Sequence, residues 1–306
     1  MRPHSPPSPP EGPSRARRRA SRGFVAALAA YLAWALFPAY FKMLRAVPPL
    51  EILAHRVAWS LAFLTVLVTL RRRWGEIGPS VKGLRLLPYV ASTLLLSANW
   101  LVFIWAVNSG RVLQASLGYF INPLVNVLLG FAFLRERLYR AQAVAVALAA
   151  AGVLVLVLRA GEVPWVSLSL AATFGGYGLV RKKARIDALL GLLVETALLA
   201  PVALLYLHHL STTGRSHFAM GGATAALLAA SGVLTAVPLI WFAIGVRSLR
   251  LSTMGLLQYV SPSGQFLLAV ALYREPFTAT HALAFLFIWT SLAIYSWDAL
   301  RARPSG

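Results

Sequence analysis

The sequence predicts an all-α polytopic membrane protein, with ten transmembrane helices arranged as two inverted five-helix repeats. Three observations carry that prediction: an excess of apolar residues, ten apolar stretches of membrane-spanning length, and one internal repeat without a gap. Of 306 residues, 58% are hydrophobic and only 12% charged, too few polar groups to cover a soluble fold of this size. Cysteine is absent, so the chain has no disulfide, thiolate nucleophile or thiolate metal ligand.

Along the chain, residues 1–22 (MRPHSPPSPPEGPSRARRRASR) have no apolar face to bury and read as a disordered basic tail. The apolar run after it lacks a small-residue cleavage signature and is followed by many others, so it reads as a first membrane helix rather than a removable leader. Stretches of about 20 apolar residues, the length that crosses the hydrocarbon, fall at 23–44, 50–70, 84–107, 112–134, 140–158, 164–181, 188–207, 222–246, 251–273 and 278–299. Of the 29 Lys and Arg residues, 22 lie in the tail and in alternate connectors (71–85, 135–140, 181–185, 247–250 and the segment 300–306). The opposite connectors carry six, and Arg56 alone lies within a span. This bias puts both termini in the cytoplasm. It also assigns the net charge of +20 to a bilayer surface with anionic lipids rather than to nucleic acid.

The repeat has a constant offset of 139 residues. NSGR at 108–111 falls on RSLR at 247–250, FINP at 120–123 on YVSP at 259–262, and LRE at 134–136 on YRE at 273–275; Lys42 falls on Arg181 and Phe103 on Phe242. A shared gapless register across several helices marks a duplication, giving halves at 23–158 and 164–299. Five spans per half is an odd number, so the halves insert in opposite orientations, an architecture of transporters with the substrate site near the midplane.

The paired Pro-then-Glu pattern, Pro123 with Glu136 and Pro262 with Glu275, resembles the EamA repeat of the drug/metabolite transporter superfamily. More narrowly, AYFK (39–42), EILAHRVAWS (51–60), NWLVFIWAVN (99–108), ASLGYFINPLVN (115–126), YGLVRKK (177–183) and RLSTMGLLQY (250–259) resemble the RarD branch, over about residues 23–299. The resemblance implies a bacterial inner-membrane permease.

Several residues are candidates for the site. Gln114, Gly118, Asn122 and Asn126 recur every four positions and form one polar stripe; Gln258, Ser261 and Gln265 continue an equivalent stripe in the second half. Such stripes either line a substrate path between the halves or join helices by hydrogen bonds worth about 0.6 kcal/mol each, and both readings stay open. Pro123 and Pro262 each remove a backbone bond and should kink their helices, as hinges or as static bends. Trp34, Trp100, Tyr119 and Tyr259 are deep enough in their spans to stack on an apolar aromatic or amphiphilic solute, and Asn99 and Tyr177 are further substrate-binding candidates. Among nine acids only Glu195 sits well inside a span, and at the 139 offset it is the equivalent of Arg56. Intramembrane charges are costly and usually functional. The expectation is therefore that Arg56 anchors a polar or anionic substrate group and that Glu195 takes the coupling proton and releases Arg56, the alternative being a fixed ion pair. His55 points about 100° away around the helix and reads as a packing residue.

These features describe a secondary transporter, most naturally an exporter, of small organic metabolites or drugs, working by alternating access. A membrane-embedded enzyme would need an H-E-x-x-H, a G-x-S-x-G or an acid pair, and none is present. A channel would need a filter motif, and an ATP-driven pump a G-x-x-x-x-G-K-[ST]. No cofactor, metal or catalytic residue is expected; the partners are a small-molecule substrate and the bilayer.

Overall fold

A computed structural model describes residues 13–81, 86–134, 140–160, 163–184, 187–248 and 257–301. The described chain is helical throughout: α1 (Pro13–Met43), α2 (Pro49–Leu70), the short α3 (Ile77–Val81), α4 (Leu86–Asn108), α5 (Val112–Leu134), α6 (Arg140–Ala160), α7 (Trp165–Ala184), α8 (Ala188–Thr212), α9 (Gly222–Ser248), α10 (Val260–Leu267) and α11 (Ala279–Arg301). Among the described residues, five segments are both long and apolar enough to cross a membrane: Ser21–Met43, Pro49–Leu70, Leu86–Asn108, Leu189–Thr212 and Gly222–Phe242. Ala143–Leu156, Val260–Leu272 and Ala279–Ile294 are shorter apolar helices.

Helix ends follow local chemistry. Pro49 opens α2, where its missing N–H would be unpaired anyway. Asp187 caps α8 by accepting the N–H groups of Leu189 and Leu190 at 3.0 and 3.1 Å. The carboxylate of Glu275, from the loop after α10, accepts the N–H groups of Val112 and Leu113, both at 2.8 Å, and so caps α5 from a remote segment.

Two departures from the sequence reading stand out. Residues 13–22, expected to be disordered, continue α1 as helix. The Ala and Arg residues there are good helix formers, and extending an existing helix avoids the nucleation cost. The ninth predicted span is not one uniform helix: it has a turn at Tyr259, restarts as α10 and ends in a π-helical segment at Leu268–Leu272. The turn lies three residues before Pro262, which has no N–H to donate to the preceding turn, and Tyr259 itself keeps helical dihedrals (φ −68°, ψ −16°). Pro123 lies within α5; its ring is outside the described side chains.

α2 packs on α8 and α9, α1 on α9 and α10, α4 on α7, α5 on α7 and α10, and α6 on α11. Small residues set the closest crossings. A Cβ on Gly118 would stand 2.7 Å from the carbonyl oxygen of Ser167 in α7. A Cβ on Gly232 would collide with the backbone of Trp59 in α2, where Ser60 Oγ donates to the Gly232 carbonyl at 3.3 Å.

Candidate functional site

Arg56, on α2, is 4% exposed. Its guanidinium carbon lies 4.2 Å from the Trp100 ring centroid and 5.6 Å from those of Phe37 and Phe41. Nε donates to Thr235 Oγ1 at 2.6 Å, and that hydroxyl donates in turn to the Ser231 carbonyl at 2.8 Å. Nη1 is buried without a hydrogen-bond partner. The cation is thus held by ring faces, each worth about 2 kcal/mol when desolvated, and by one hydroxyl.

The rings continue away from Arg56. Phe41 meets Phe103 at 6.0 Å, Phe103 meets Tyr119 at 5.8 Å, Tyr119 meets Phe174 at 6.0 Å, and Phe174 meets Tyr177 at 6.0 Å. Tyr119 donates to Asn99 Oδ1 at 3.1 Å, while Asn99 Nδ2 donates to the Leu170 carbonyl and Thr173 Oγ1 at 3.1 and 3.0 Å. Asn99, Trp100, Tyr119 and Tyr177 therefore belong to one polar-aromatic seam between α4, α5 and α7.

The expected link between Arg56 and Glu195 is absent. Glu195, 2% exposed, pairs with Arg181 at 3.2 Å and accepts from Ser92 Oγ at 2.7 Å. Arg181 also donates to the Tyr177 hydroxyl at 2.6 Å and to the Asp187 carbonyl at 2.8 Å. The reason is geometric. Arg56 and Glu195 are each seven residues from the first residue of their helix, and α2 and α8 run antiparallel, since the start of α2 meets the loop after α8. The pseudo-equivalent residues therefore sit at opposite depths. The sequence places Arg181 in a connector, whereas α7 continues through it; its match at the 139 offset to Lys42, itself in the last turn of α1, is the signal for this.

The polar stripes are covered by helices. Asn122 is fully buried, donating to the Ala171 carbonyl of α7 at 3.2 Å and accepting from Gln258 Nε2 at 3.4 Å. Gln265 Nε2 donates to the Trp34 carbonyl of α1 and to Ser261 Oγ, both at 3.2 Å. In this conformation Asn122, Gln258 and Gln265 join helices rather than line an open path, because a face with a glycine in its centre invites a neighbouring backbone into contact. Tyr259 packs against the core, and the side chain of Asn126 lies outside those described, as does Glu136.

Contacts between connectors sort into two sets. On one, Glu51, fully buried, holds the loop after α8: its carboxylate accepts the His217 N–H at 2.8 Å and lies 2.7 Å from His217 Nδ1. A cavity of about 500 Å³ adjoins this clasp, lined by Pro48, Glu51, Tyr206, Arg215, His217 and Met220. His55 stacks on Phe218 at 4.9 Å, while its Nε2 is buried without a hydrogen-bond partner. Lys42 lies over Tyr273 at 5.2 Å. On the other set, Arg73 pairs with Glu76 at 2.6 Å and Asp187 at 3.4 Å. The Arg73 hydrogen bond holds the Glu76 carboxyl below the usual carboxylate range.

Residues 21–158 match the EamA-like transporter family. The chain is 47% identical over 285 residues to an uncharacterized transporter of Vibrio cholerae, covering 92% of this chain and 94% of that one. It is 46% identical to protein RarD of Salmonella typhi, covering 92% and 97%, and 34% identical to the chloramphenicol-sensitive protein RarD of Pseudomonas aeruginosa, covering 93% and 96%. A solved crystal structure shares the fold with a TM-score of 0.59 at 22% identity, covering 93% of this chain and 99% of that one. The chain is a multi-pass membrane protein and belongs to the RarD branch of the EamA-like transporter family.

Proposed function

We propose that this protein is a secondary carrier that exports small organic molecules across a bacterial inner membrane, by alternating access between two inverted five-helix halves with both termini in the cytoplasm. The observation that carries the reading is a symmetry of packing. Exchange each helix for the one 139 residues away and the larger contacts map onto one another: α1 on α9 becomes α7 on α4, α5 on α7 becomes α10 on α1, α2 on α9 becomes α8 on α4, and α2 on α8, α5 on α10 and α6 on α11 map onto themselves. Two interdigitated equivalent halves are what rocking between two states requires. The two sets of connector contacts agree with the sidedness of the Lys and Arg bias, with Glu51, Glu275 and Lys42 outside and Arg73, Asp187 and Arg181 inside.

Within this reading Arg56 anchors substrate, with Asn99, Trp100, Tyr119 and Tyr177 lining its route. Glu195 is the proton site, and its protonation frees Arg181 rather than Arg56, loosening α4, α7 and α8 at the cytoplasmic end. Pro123 and Pro262 are the hinge candidates; Asn122, Asn126, Gln258, Tyr259 and Gln265 become accessible when the stripes part. The test compares metabolites released by cells with and without the protein, followed by uptake into proteoliposomes under an imposed pH gradient. Gradient-driven uptake that Glu195→Gln abolishes while exchange persists supports the reading; wild-type pH dependence in that variant refutes the coupling role.

A further inference from the structure

Arg56 presents an imbalance that the described residues do not resolve. A guanidinium has five N–H donors; Nε is used and Nη1 is buried without a partner. Among the described residues no carboxylate pairs with it: Glu51 is committed to His217, Glu195 to Arg181, Asp187 and Glu76 to Arg73, and Glu275 to the first turn of α5, while Asp298 lies in the last turn of α11, which packs on α6. A buried charge without a counter-charge is expensive and is tolerated where something compensates it. Rings lower the cost but leave the net charge in place.

The second observation is where the duplication fails. Helix packing is repeated, but the cage is not: at the 139 offset Phe37 corresponds to Gly176, Phe41 to Val180, Trp100 to Leu239 and Arg56 to Glu195. A scaffold needs the repeated parts. A ligand with one charged end and one apolar body needs an unrepeated cage.

We propose that the cage of Arg56, Trp100, Phe37 and Phe41 is the recognition site for organic monocarboxylates with an apolar or aromatic body. The carboxylate takes the free Nη1 and completes the charge balance, and the body replaces ring-to-ring contacts along Phe41, Phe103 and Tyr119. A single net positive charge selects a monoanion, since the next guanidinium along the seam, Arg181, is already neutralised by Glu195. An acid of this kind enters the cage without adding net charge, whereas an amine of the same shape adds a second cation beside Arg56. The proposal deepens the transport reading by naming its substrate class, and it rests on that reading only for the claim that the cage faces a ligand.

The test uses the full chain purified in detergent and four probes: phenylacetate, its neutral isostere phenylacetamide, the cation phenethylamine, and acetate, which lacks the body. Binding is read by the shift in thermal unfolding and by quenching of tryptophan fluorescence. Phenylacetate should bind about 10- to 100-fold more tightly than phenylacetamide, the range of a charge-assisted hydrogen bond, more tightly than acetate, and phenethylamine should not bind. Arg56→Gln should erase the preference for acid over amide; Trp100→Ala should narrow the gap between phenylacetate and acetate while keeping acid above amide. Arg56→Lys, which keeps the charge and loses the planar fork, should retain the order with weaker binding, and it serves if Arg56→Gln does not fold. Equal binding of amide or amine, no binding by any probe, or an unchanged preference in Arg56→Gln overturns the proposal. Acid-selective binding without transport in proteoliposomes keeps the site and removes the carrier reading; transport of amine or amide unaffected by Arg56→Gln does the reverse.

Discussion

Removing Arg181 should destabilise the protein far more than neutralising its partner Glu195. The Arg181 guanidinium makes four contacts: both Glu195 oxygens at 3.2 Å, the Tyr177 hydroxyl at 2.6 Å and the Asp187 carbonyl at 2.8 Å. In Arg181→Met, at a pH high enough to keep Glu195 ionised, the carboxylate stays buried with only the Ser92 hydroxyl as a donor, and stranding one member of a buried pair costs about 3–5 kcal/mol. In Glu195→Gln the amide oxygen still accepts from Ser92 and Arg181 keeps Tyr177 and Asp187, so the loss is that of a charge-assisted bond, about 1–2 kcal/mol. At roughly 2–4 °C per kcal/mol, thermal unfolding followed by tryptophan fluorescence should fall on the order of 10 °C for Arg181→Met and a few degrees for Glu195→Gln. Combining the two substitutions removes the stranded charge, so the double variant should be more stable than Arg181→Met alone. Equal losses in the single variants, or strict additivity in the double, would refute the pairing and with it the idea that protonating Glu195 releases Arg181.

Other outcomes follow from the same geometry. Because the chain has no native cysteine, single cysteines at Arg45 and Arg215 should react with an impermeant reagent from outside and one at Arg71 should not; the reverse pattern overturns the sidedness. Gly118→Ala places a methyl 2.7 Å from the Ser167 carbonyl and should cost about 1–3 kcal/mol in thermal unfolding, whereas Gly78→Ala, with no heavy atom within 4 Å, should be silent; equal effects would deny the close α5–α7 crossing. Glu51→Gln should loosen the loop after α8 by about 1–3 kcal/mol, read as faster amide exchange over residues 215–221 with the exchange of α7 unchanged.

Much of this was legible in the sequence because the solvent imposes it. A bilayer demands apolar runs of about 20 residues, so the all-helical character is read from hydropathy, and five of the predicted spans recur as helices long and apolar enough to cross a membrane. The Arg56 anomaly was visible for the same reason. What pairs with it was not. The 139-residue offset relates Arg56 to Glu195 by position along the sequence, and matching positions do not say which side chains meet. Glu195 instead uses Arg181, from the adjoining α7, a contact that depends on how far that helix continues. The stripe at Gln114, Gly118, Asn122 and Asn126 identified a helix face, but spacing does not say which neighbour covers it. Thr235 and the Glu51–His217 clasp carry no local motif, since each is made by segments more than 160 residues apart.

Counterflow tests the carrier reading most directly. Proteoliposomes containing the full chain are loaded with unlabelled phenylacetate, or left empty, and placed in a trace of radiolabelled phenylacetate without a pH gradient. An alternating-access carrier returns to the outer face faster when it carries substrate, so the loaded vesicles should show transient accumulation of label above its external level, and Arg56→Gln should abolish it. Label that merely equilibrates at the same rate in loaded and empty vesicles, with no overshoot, would contradict the account and point to a pore.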